Sequence, residues 1–316
     1  MKDNWTMSKL VSILVPTYNE EENVIPLSEA LTEQMSQLAQ YDYEIIFIDN
    51  DSRDSTRDKL RMLCAKDNHI KAIFNARNYG QFNSPFYGIQ QANGDCVITM
   101  CADFQDPVEM IPKYLEAWEE GNKIVLGQKT SSKESGLIYA ARGFYYRFMK
   151  RYSSVDFIPQ VTGSGLYDRS FVEVMKKVDD PKPFLRGVVA ELGFSIKTIP
   201  FEQPKRRAGK SSNSFLRYYD AAVQSITAYT KIGVRLAVLF GTLFTIGSLI
   251  ADVGLVIYKL CNIDAFSLSP YIIPMAILTG VSLNMAFIGI VGEYVLDINA
   301  HVRKRPLVTE AERINF

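Results

Sequence analysis

The chain has 316 residues, 47% of them hydrophobic and 22% charged, which is enough apolar content for one large core or two smaller ones. Lys and Arg total 35, as do Asp and Glu, so no basic excess points to nucleic acid, and no nucleic-acid partner is expected. The 4 cysteines, Cys64, Cys96, Cys101 and Cys261, show no paired metal spacing and three lie in apolar surroundings, which argues against a disulfide framework and fits a reducing compartment.

Met1 to Leu10 is polar and leads straight into a strand, so no cleavable signal is expected. Lys9 to Val15 reads as a buried strand stopped by Pro16-Thr17-Tyr18-Asn19-Glu20, and a helix follows from Glu21 towards Ala39, with Leu27, Ala30, Leu31, Met35 and Leu38 on one stripe. Tyr43 to Ile48 is a second strand, ending in Asp49-Asn50-Asp51-Ser52, and Asp54 or Ser55 caps a helix through Ala65. Ile70 to Phe74, Cys96 to Met100 and Lys123 to Leu126 are further strands, separated by helices over Phe82 to Ala92 and Val108 to Glu119. Ser131 to Ser154 reads as a crossing segment plus a helix from Leu137 to Tyr152. Val161 to Tyr167 reads as a strand returning across the sheet edge, Ser170 to Lys177 and Phe184 to Leu192 as helices, and Ser195 to Pro200 as a last strand. Strands alternating with helices predict an α/β fold with a mostly parallel sheet covered on both faces.

Gln203 to Asn213 breaks the pattern with a basic loop carrying Lys205, Arg206, Arg207 and Lys210, and Phe215 to Thr230 then reads as an amphipathic helix suited to a bilayer surface. Leu236 to Ile257, apolar except for Asp252, and the uncharged run Tyr271 to Gly292 each suit a helix crossing a ~30 Å hydrocarbon core. Basic residues flank the outer ends of both runs, whereas Lys259 to Pro270 between them holds one Lys and one Asp. The positive-inside rule therefore predicts a multi-pass protein of the cytoplasmic membrane with its enzyme-like domain and both termini in the cytoplasm. The expected domains are 1–210, a juxtamembrane helix over 211–231, two spans over 232–295 and a cytoplasmic tail over 296–316.

The chemistry gathers after the fourth strand, in Thr99-Met100-Cys101-Ala102-Asp103-Phe104-Gln105-Asp106-Pro107. Open α/β sheets place ligands at the C-terminal ends of their strands. In extended chain Asp103 and Gln105 point the same way and offer two oxygens to one hard cation carrying phosphates. Asp106 is either a carboxylate behind that pair or a helix N-cap. Pro, Asn and Asp in the two earlier loops are also ordinary turn formers.

Taken in order, Val15-Pro16-Thr17-Tyr18-Asn19-Glu20, Ile48-Asp49-Asn50-Asp51-Ser52 and the acidic loop resemble the inverting, GT-A-fold glycosyltransferases of the second sequence family. The two C-terminal runs resemble the polyprenyl-phosphate sugar transferases within it, the bactoprenol glucosyltransferases and dolichol-phosphate mannose synthases. The likeness extends through Gly292-Glu293-Tyr294 and Arg305-Pro306. It implies a Rossmann-like catalytic domain acting on a nucleotide-sugar donor and a polyprenyl phosphate acceptor at a membrane, in a homo-oligomer. Pro16, Tyr18, Glu20 and Asp49 are implied to hold the nucleotide, and Asp103 with Gln105 to hold Mg²⁺ or Mn²⁺ and through it the leaving diphosphate.

Cys101 stands where the family carries a first Asp. A thiol is a poor ligand for a hard cation, so Cys101 is expected to pack beneath the site. Arg77, in Arg77-Asn78-Tyr79-Gly80-Gln81, matches a diphosphate-binding segment that often ends in Lys, here Gln81. Many relatives place a catalytic carboxylate near Ser164, which this chain lacks; Asp168 and Arg169 read as a cap and a local ion pair. Glu191 interrupts an apolar stretch where inverting enzymes carry an acid, so it is either a buried catalytic acid or a helix-end residue. The resemblance assigns Arg206 and Lys210 to acceptor or diphosphate binding, beside the plainer reading that they meet anionic lipid. The expected reaction is transfer of a hexose, glucose from UDP-glucose first, to undecaprenyl phosphate with inversion. The rival readings are a processive polysaccharide synthase and a non-catalytic nucleotide-sugar-binding subunit.

Overall fold

The computed structural model describes residues 8–130, 158, 161–181, 183–204, 206–208, 269–302 and 305–316, with isolated positions within 143–153 and 230–261. Two compact units emerge, Met1–Arg147 with Val155–Ser214 and Lys304–Phe316, and Phe148–Ser154 with Phe215–Arg303.

The first unit is built on β1 (Lys9–Thr17), β2 (Tyr41–Asp49), β3 (Ile70–Asn75), β4 (Cys96–Thr99), β5 (Ile124–Lys129), β6 (Val161–Asp168), β7 (Ile196–Phe201) and β8 (Glu310–Ile314). Its helices are α1 (Val24–Ser36), α2 (Thr56–Lys66), α3 (Gly80–Gln91), α4 (Met110–Glu119), α5 (Arg169–Met175) and α6 (Leu185–Glu191). These strands form one sheet in the order β7-β5-β6-β4-β1-β2-β3-β8. β1 pairs in parallel with both β2 and β4, so the chain builds outward from β1 to one side and then restarts on the other. That reversal opens a crevice beyond the C-terminal ends of β4, β1 and β2, where α/β sheets bind ligands.

Alternation along the strands divides the core between the two faces. Val11, Ile13 and Val15 pack with Leu27 and Leu31 of α1, Leu60 of α2 and Ile111 of α4. Leu14, Ile46 and Ile48 pack with Phe86 of α3, Phe171 of α5 and Val188 of α6. Each fully buried aliphatic side chain contributes about 2 kcal/mol. Gly94 turns the chain into β4 against β1, where a Cβ would lie 2.7 Å from both the Leu10 carbonyl oxygen and the Ser12 amide nitrogen. A buried polar cluster ties the opposite end of the sheet. Glu44 of β2 accepts from Ser12 Oγ of β1 at 2.5 Å and from the Asn93 amide at 2.8 Å, and pairs with Lys71 of β3 at 2.7 Å.

The sheet departs from expectation in two places. β6 lies inside it, antiparallel to both β4 and β5, rather than along its edge. An antiparallel insert between buried neighbours has the same apolar run as an edge return, which is why the pattern alone misplaces it. The segment read as a free cytoplasmic tail ends in β8, antiparallel to β3. Glu312 pairs with Arg61 of α2 at 2.7 Å, and Asn315 Nδ2 donates to the carbonyls of Cys64 and Ile70 at 2.8 Å each. Asn315 has φ 63°, a conformation Asn tolerates better than most residues. Asn315→Ala loses both bonds and keeps the strained backbone, at a cost of about 2 kcal/mol. Hydrogen exchange should show faster exchange of the β3 amides; unchanged protection there would refute this anchoring role.

In the second unit, α7 (Ser269–Val302) is a 34-residue helix, and Ser153 and Thr230 form a β-bridge. Among the described residues no helix is long and apolar enough to cross a membrane. The expected span Leu236 to Ile257 and the amphipathic helix Phe215 to Thr230 lie almost entirely outside those residues, as do many side chains of Tyr271 to Gly292 and most of Leu137 to Tyr152. The described side chains of α7 include Ile273, Ile277, Val281, Ile288, Val291, Val295, Ile298 and Val302, each more than half exposed. Their spacings of three, four and seven put them on one stripe of the helix.

Candidate active site

Three loops meet in the crevice, and each contains one non-glycine residue forced to positive φ: Asn19 after β1 (55°), Asp51 after β2 (67°) and Phe104 after β4 (61°). Such backbone costs energy, most of all for a bulky side chain such as Phe104, and collects where geometry serves a site. The first two loops are laced together. The Asn19 amide donates to Ser52 Oγ and the Arg53 amide to Asn19 Oδ1, each at 2.8 Å, and the Glu20 amide donates to Thr56 Oγ1 at 2.9 Å. Pro16, one residue before the end of β1, is in register with Ile48, and Tyr18 just beyond the strand is half-buried.

Asp49, the last residue of β2, is fully buried. Its Oδ2 accepts from Arg57 Nε at 2.8 Å and from the Ser52 amide at 3.1 Å. Its Oδ1 is buried with no hydrogen-bond partner among the described residues. An ionised oxygen left unsatisfied in the interior is costly unless a ligand completes it.

Beyond β4, Asp103 is buried, and its Oδ1 accepts from the Gln105 amide at 3.1 Å. Arg206 brings the basic loop onto it. The guanidinium lies 3.4 Å from Asp103 Oδ2, donates to Glu20 Oε1, and its Nε donates to the Ala208 carbonyl at 2.9 Å. Next to it the Arg207 amide donates to the Asp103 carbonyl at 3.2 Å, and the Arg207 guanidinium covers the Phe104 ring at 5.0 Å. Asn23 Nδ2 donates to Glu20 Oε2 at 2.6 Å. Desolvation, with Asp103 adding to it, raises the Glu20 carboxyl above its ordinary range despite the opposing bonds from Asn23 and Arg206. Glu20, expected to meet ribose hydroxyls, is thus committed to Arg206 and Asn23 in this state.

Asp106 is not an N-cap, because α4 begins at Met110 with Glu109 before it. It is buried, its Oδ2 accepts from the Cys101 amide at 2.9 Å, and its Oδ1 has no partner among the described residues. Burial raises its carboxyl, more than the bonds from Cys101 lower it. Cys101 is not packed beneath the site; its surface is open to solvent. The surrounding walls still desolvate the thiol, and with Asp106 and Asp103 beside it they hold it protonated well above the usual range. A protonated thiol does not suit a hard cation.

The hard oxygens of Asp103 and Gln105 do suit Mg²⁺ or Mn²⁺, which commonly take one or two protein oxygens and fill the rest of their shell from phosphates. The described residues contain no group of three or more His, Cys, Asp or Glu arranged for a metal. A divalent cation at Asp103 would share that carboxylate with the Arg206 guanidinium.

Other expected residues fall elsewhere. Glu191 is exposed at the end of α6, whose buried residues are Gly187, Val188 and Val189, so the expected burial of its carboxylate is absent. Periodicity alone would put position 191, three residues after Val188, on the buried side; it is exposed as the last residue of α6. Arg77 is exposed and stacks on Tyr79 at 4.1 Å. Asp168 does cap α5 through the Ser170 amide, but its ion pair is with Lys123 at 3.2 Å rather than with Arg169. Ser164 is buried against the Tyr114 hydroxyl at 3.1 Å. Lys210 lies outside the described residues. Arg57 was missed as a site residue because it reads as a solvated helix position. Its place one residue after Ser55-Thr56, at the helix start facing the end of β2, was the available signal.

The same segment is recognised independently. Residues 12–174 match the model of Glycosyl transferase family 2. The chain is 29% identical over 299 residues to an uncharacterized glycosyltransferase of Bacillus subtilis, YkcC, covering 94% of this chain and 91% of that protein. It is 25% identical over 297 residues to the prophage bactoprenol glucosyl transferase homolog of Escherichia coli K12, covering 94% and 96%. A mycobacterial protein of known structure shares the fold at TM-score 0.50 and 16% identity, over 69% of this chain and 73% of that one. With over half its length matched, and Asp49 and Asp103 inside that segment, the chain belongs to glycosyl transferase family 2.

Proposed function

We propose that this protein is a membrane-anchored, metal-dependent inverting glycosyltransferase that moves a hexose, glucose from UDP-glucose first, to polyprenyl phosphate on the cytoplasmic face. The observation that carries the reading is the crevice itself. A buried carboxylate with an open oxygen ends β2, and beyond β4 a second buried carboxylate meets a guanidinium that also reaches the loop after β1. The E. coli relative, named for bactoprenol, aligns along nearly the whole chain, which supports carrying a lipid acceptor over to this protein.

Asp49 Oδ1 accepts an N–H from the nucleobase, and Pro16, Tyr18 and Glu20 line the nucleoside. Asp103 and Gln105 hold the cation, which when bound supplies neutralisation of the diphosphate charge. The acceptor phosphate is already ionised, so it attacks the anomeric carbon without a protein base. A bond from that carbon to the acceptor oxygen forms as its bond to the diphosphate breaks, and the leaving nucleoside diphosphate keeps the electron pair. Arg206 and Lys210 provide cations for the incoming and leaving phosphates. Positioning and charge stabilisation supply the catalysis.

The apolar exposed stripe of α7, beside the uncharged run Tyr271 to Gly292, supports a membrane location for the second unit. Two spans, both termini cytoplasmic and a homo-oligomer packed through small residues such as Gly241, Gly247 and Gly280 complete the reading.

The test is transfer by the purified full chain to undecaprenyl phosphate with Mg²⁺ or Mn²⁺ across UDP-glucose, UDP-galactose, UDP-N-acetylglucosamine and GDP-mannose. A single-sugar lipid product, chelator-sensitive, is expected. No transfer from any donor would sink the proposal, and a product that lengthens with time would favour a processive synthase.

A further inference from the structure

Arg57 contacts no group that could be substrate, yet everything about it is fixed. Its Nε donates to Asp49 Oδ2 at 2.8 Å, one terminal nitrogen donates to the Asn75 carbonyl at 2.7 Å, and the other lies 3.7 Å from Asp51 Oδ1. Its guanidinium lies 5.5 Å from the centre of the Phe74 ring. One arginine therefore ties the ends of β2 and β3 together. Asp49 gains two donors on Oδ2, Arg57 and the Ser52 amide, while its buried Oδ1 has no partner.

We infer that Arg57 is the positioning residue for nucleobase selection: it saturates one oxygen of Asp49 and fixes the other as a pure acceptor, so the donor's base must present a ring N–H. This rests on the nucleotide-sugar reading above. Uracil at N3 and guanine at N1 carry such a hydrogen. Cytosine at N3 and adenine at N1 carry a lone pair instead, which would face the carboxylate oxygen and leave both unpaired. Sites built around a required hydrogen bond reject analogues that lack it strongly. Without Arg57, Asp49 can turn, and its free oxygen no longer has one direction.

The experiment is equilibrium binding to the full-length protein, with Mn²⁺ present, of UDP, GDP, CDP, ADP and inorganic pyrophosphate, for wild type, Arg57→Gln and Arg57→Lys. Wild type is expected to bind UDP or GDP roughly 10²-fold more tightly than CDP or ADP. In Arg57→Gln that preference should fall to within about tenfold while pyrophosphate affinity is unchanged, and Arg57→Lys, with a point charge able to reach only one of the two partners, should be intermediate. The inference is overturned if wild type shows no preference between the base classes, if Arg57→Gln keeps it, or if Arg57→Gln weakens UDP and pyrophosphate in parallel, as general loss of structure would. Wild type that binds pyrophosphate and all four nucleotides equally refutes base selection alone. Wild type that binds none of the five refutes the nucleotide-sugar reading itself.

Discussion

Asp103→Asn should lower sugar transfer by about 10²–10³-fold, the range seen when one preorganised electrostatic group is removed from a transition state. The shape is kept and the Gln105 amide retains an acceptor, so the fold survives. What is lost is the negative charge that both Arg206 and a divalent cation require. Two measurements check this. Turnover should fall at saturating donor, and titration with Mn²⁺ in the absence of donor should show weakened binding. Transfer that survives undiminished would show that the cation is not held at Asp103. Arg206→Ala separates the two competitors for the carboxylate. Removing the guanidinium should tighten Mn²⁺ binding in the absence of donor while still slowing transfer.

Lys71→Met should destabilise the protein by about 3 kcal/mol, the lower end of the range for stripping a partner from a buried charge, because Lys71 retains some contact with water. Glu44 stays buried, with only Ser12 Oγ and the Asn93 amide to satisfy it. A reduced denaturation midpoint with an unchanged slope is expected, whereas an unchanged midpoint would refute the assignment. The same carboxylate gives a pH signature. Desolvation pushes the Glu44 carboxyl up, but Lys71, Ser12 and Asn93 together outweigh it and hold it below its ordinary 4.5. As pH falls below that value the unfolded chain takes the proton first. Glu44 thus contributes its full stability above pH 4.5 and loses it as pH falls through the lower folded value. Glu44→Gln should flatten the acid limb of the stability curve; an unaltered limb would contradict the linkage.

Much of the site was legible because apolar runs ending in polar loops mark strand ends without any tertiary knowledge. That logic located Asp49 and Asp103, but period-two alternation does not carry on to Gln105, because β4 ends at Thr99 and the chain turns at Phe104 with φ 61°. It failed where partners are distant in the chain. Arg206 meets Glu20 across 186 positions, and nothing local to either announces the pair. Cys101 was read as packed because a thiol is a poor ligand for a hard cation, and ligand softness says nothing of exposure. Apolar neighbours left Glu191 open between a buried acid and a helix-end residue, and the structure has the second. β8 was invisible for a different reason. Glu310-Ala311-Glu312-Arg313-Ile314 is mostly charged, and its pairing with β3 depends on ion pairs and backbone bonds that a hydrophobic pattern does not encode.

The place of β8 also bears on biosynthesis. β3 ends at Asn75 and its outer neighbour starts at Glu310, so 234 residues are translated between them. At ~5–20 residues per second the edge of β3 stays uncovered for roughly tens of seconds on the ribosome. An open, mostly apolar strand edge of that lifetime is a template for wrong pairing. Nascent chains stalled between Asn75 and Glu310 should therefore depend on chaperones far more than those stalled after Phe316.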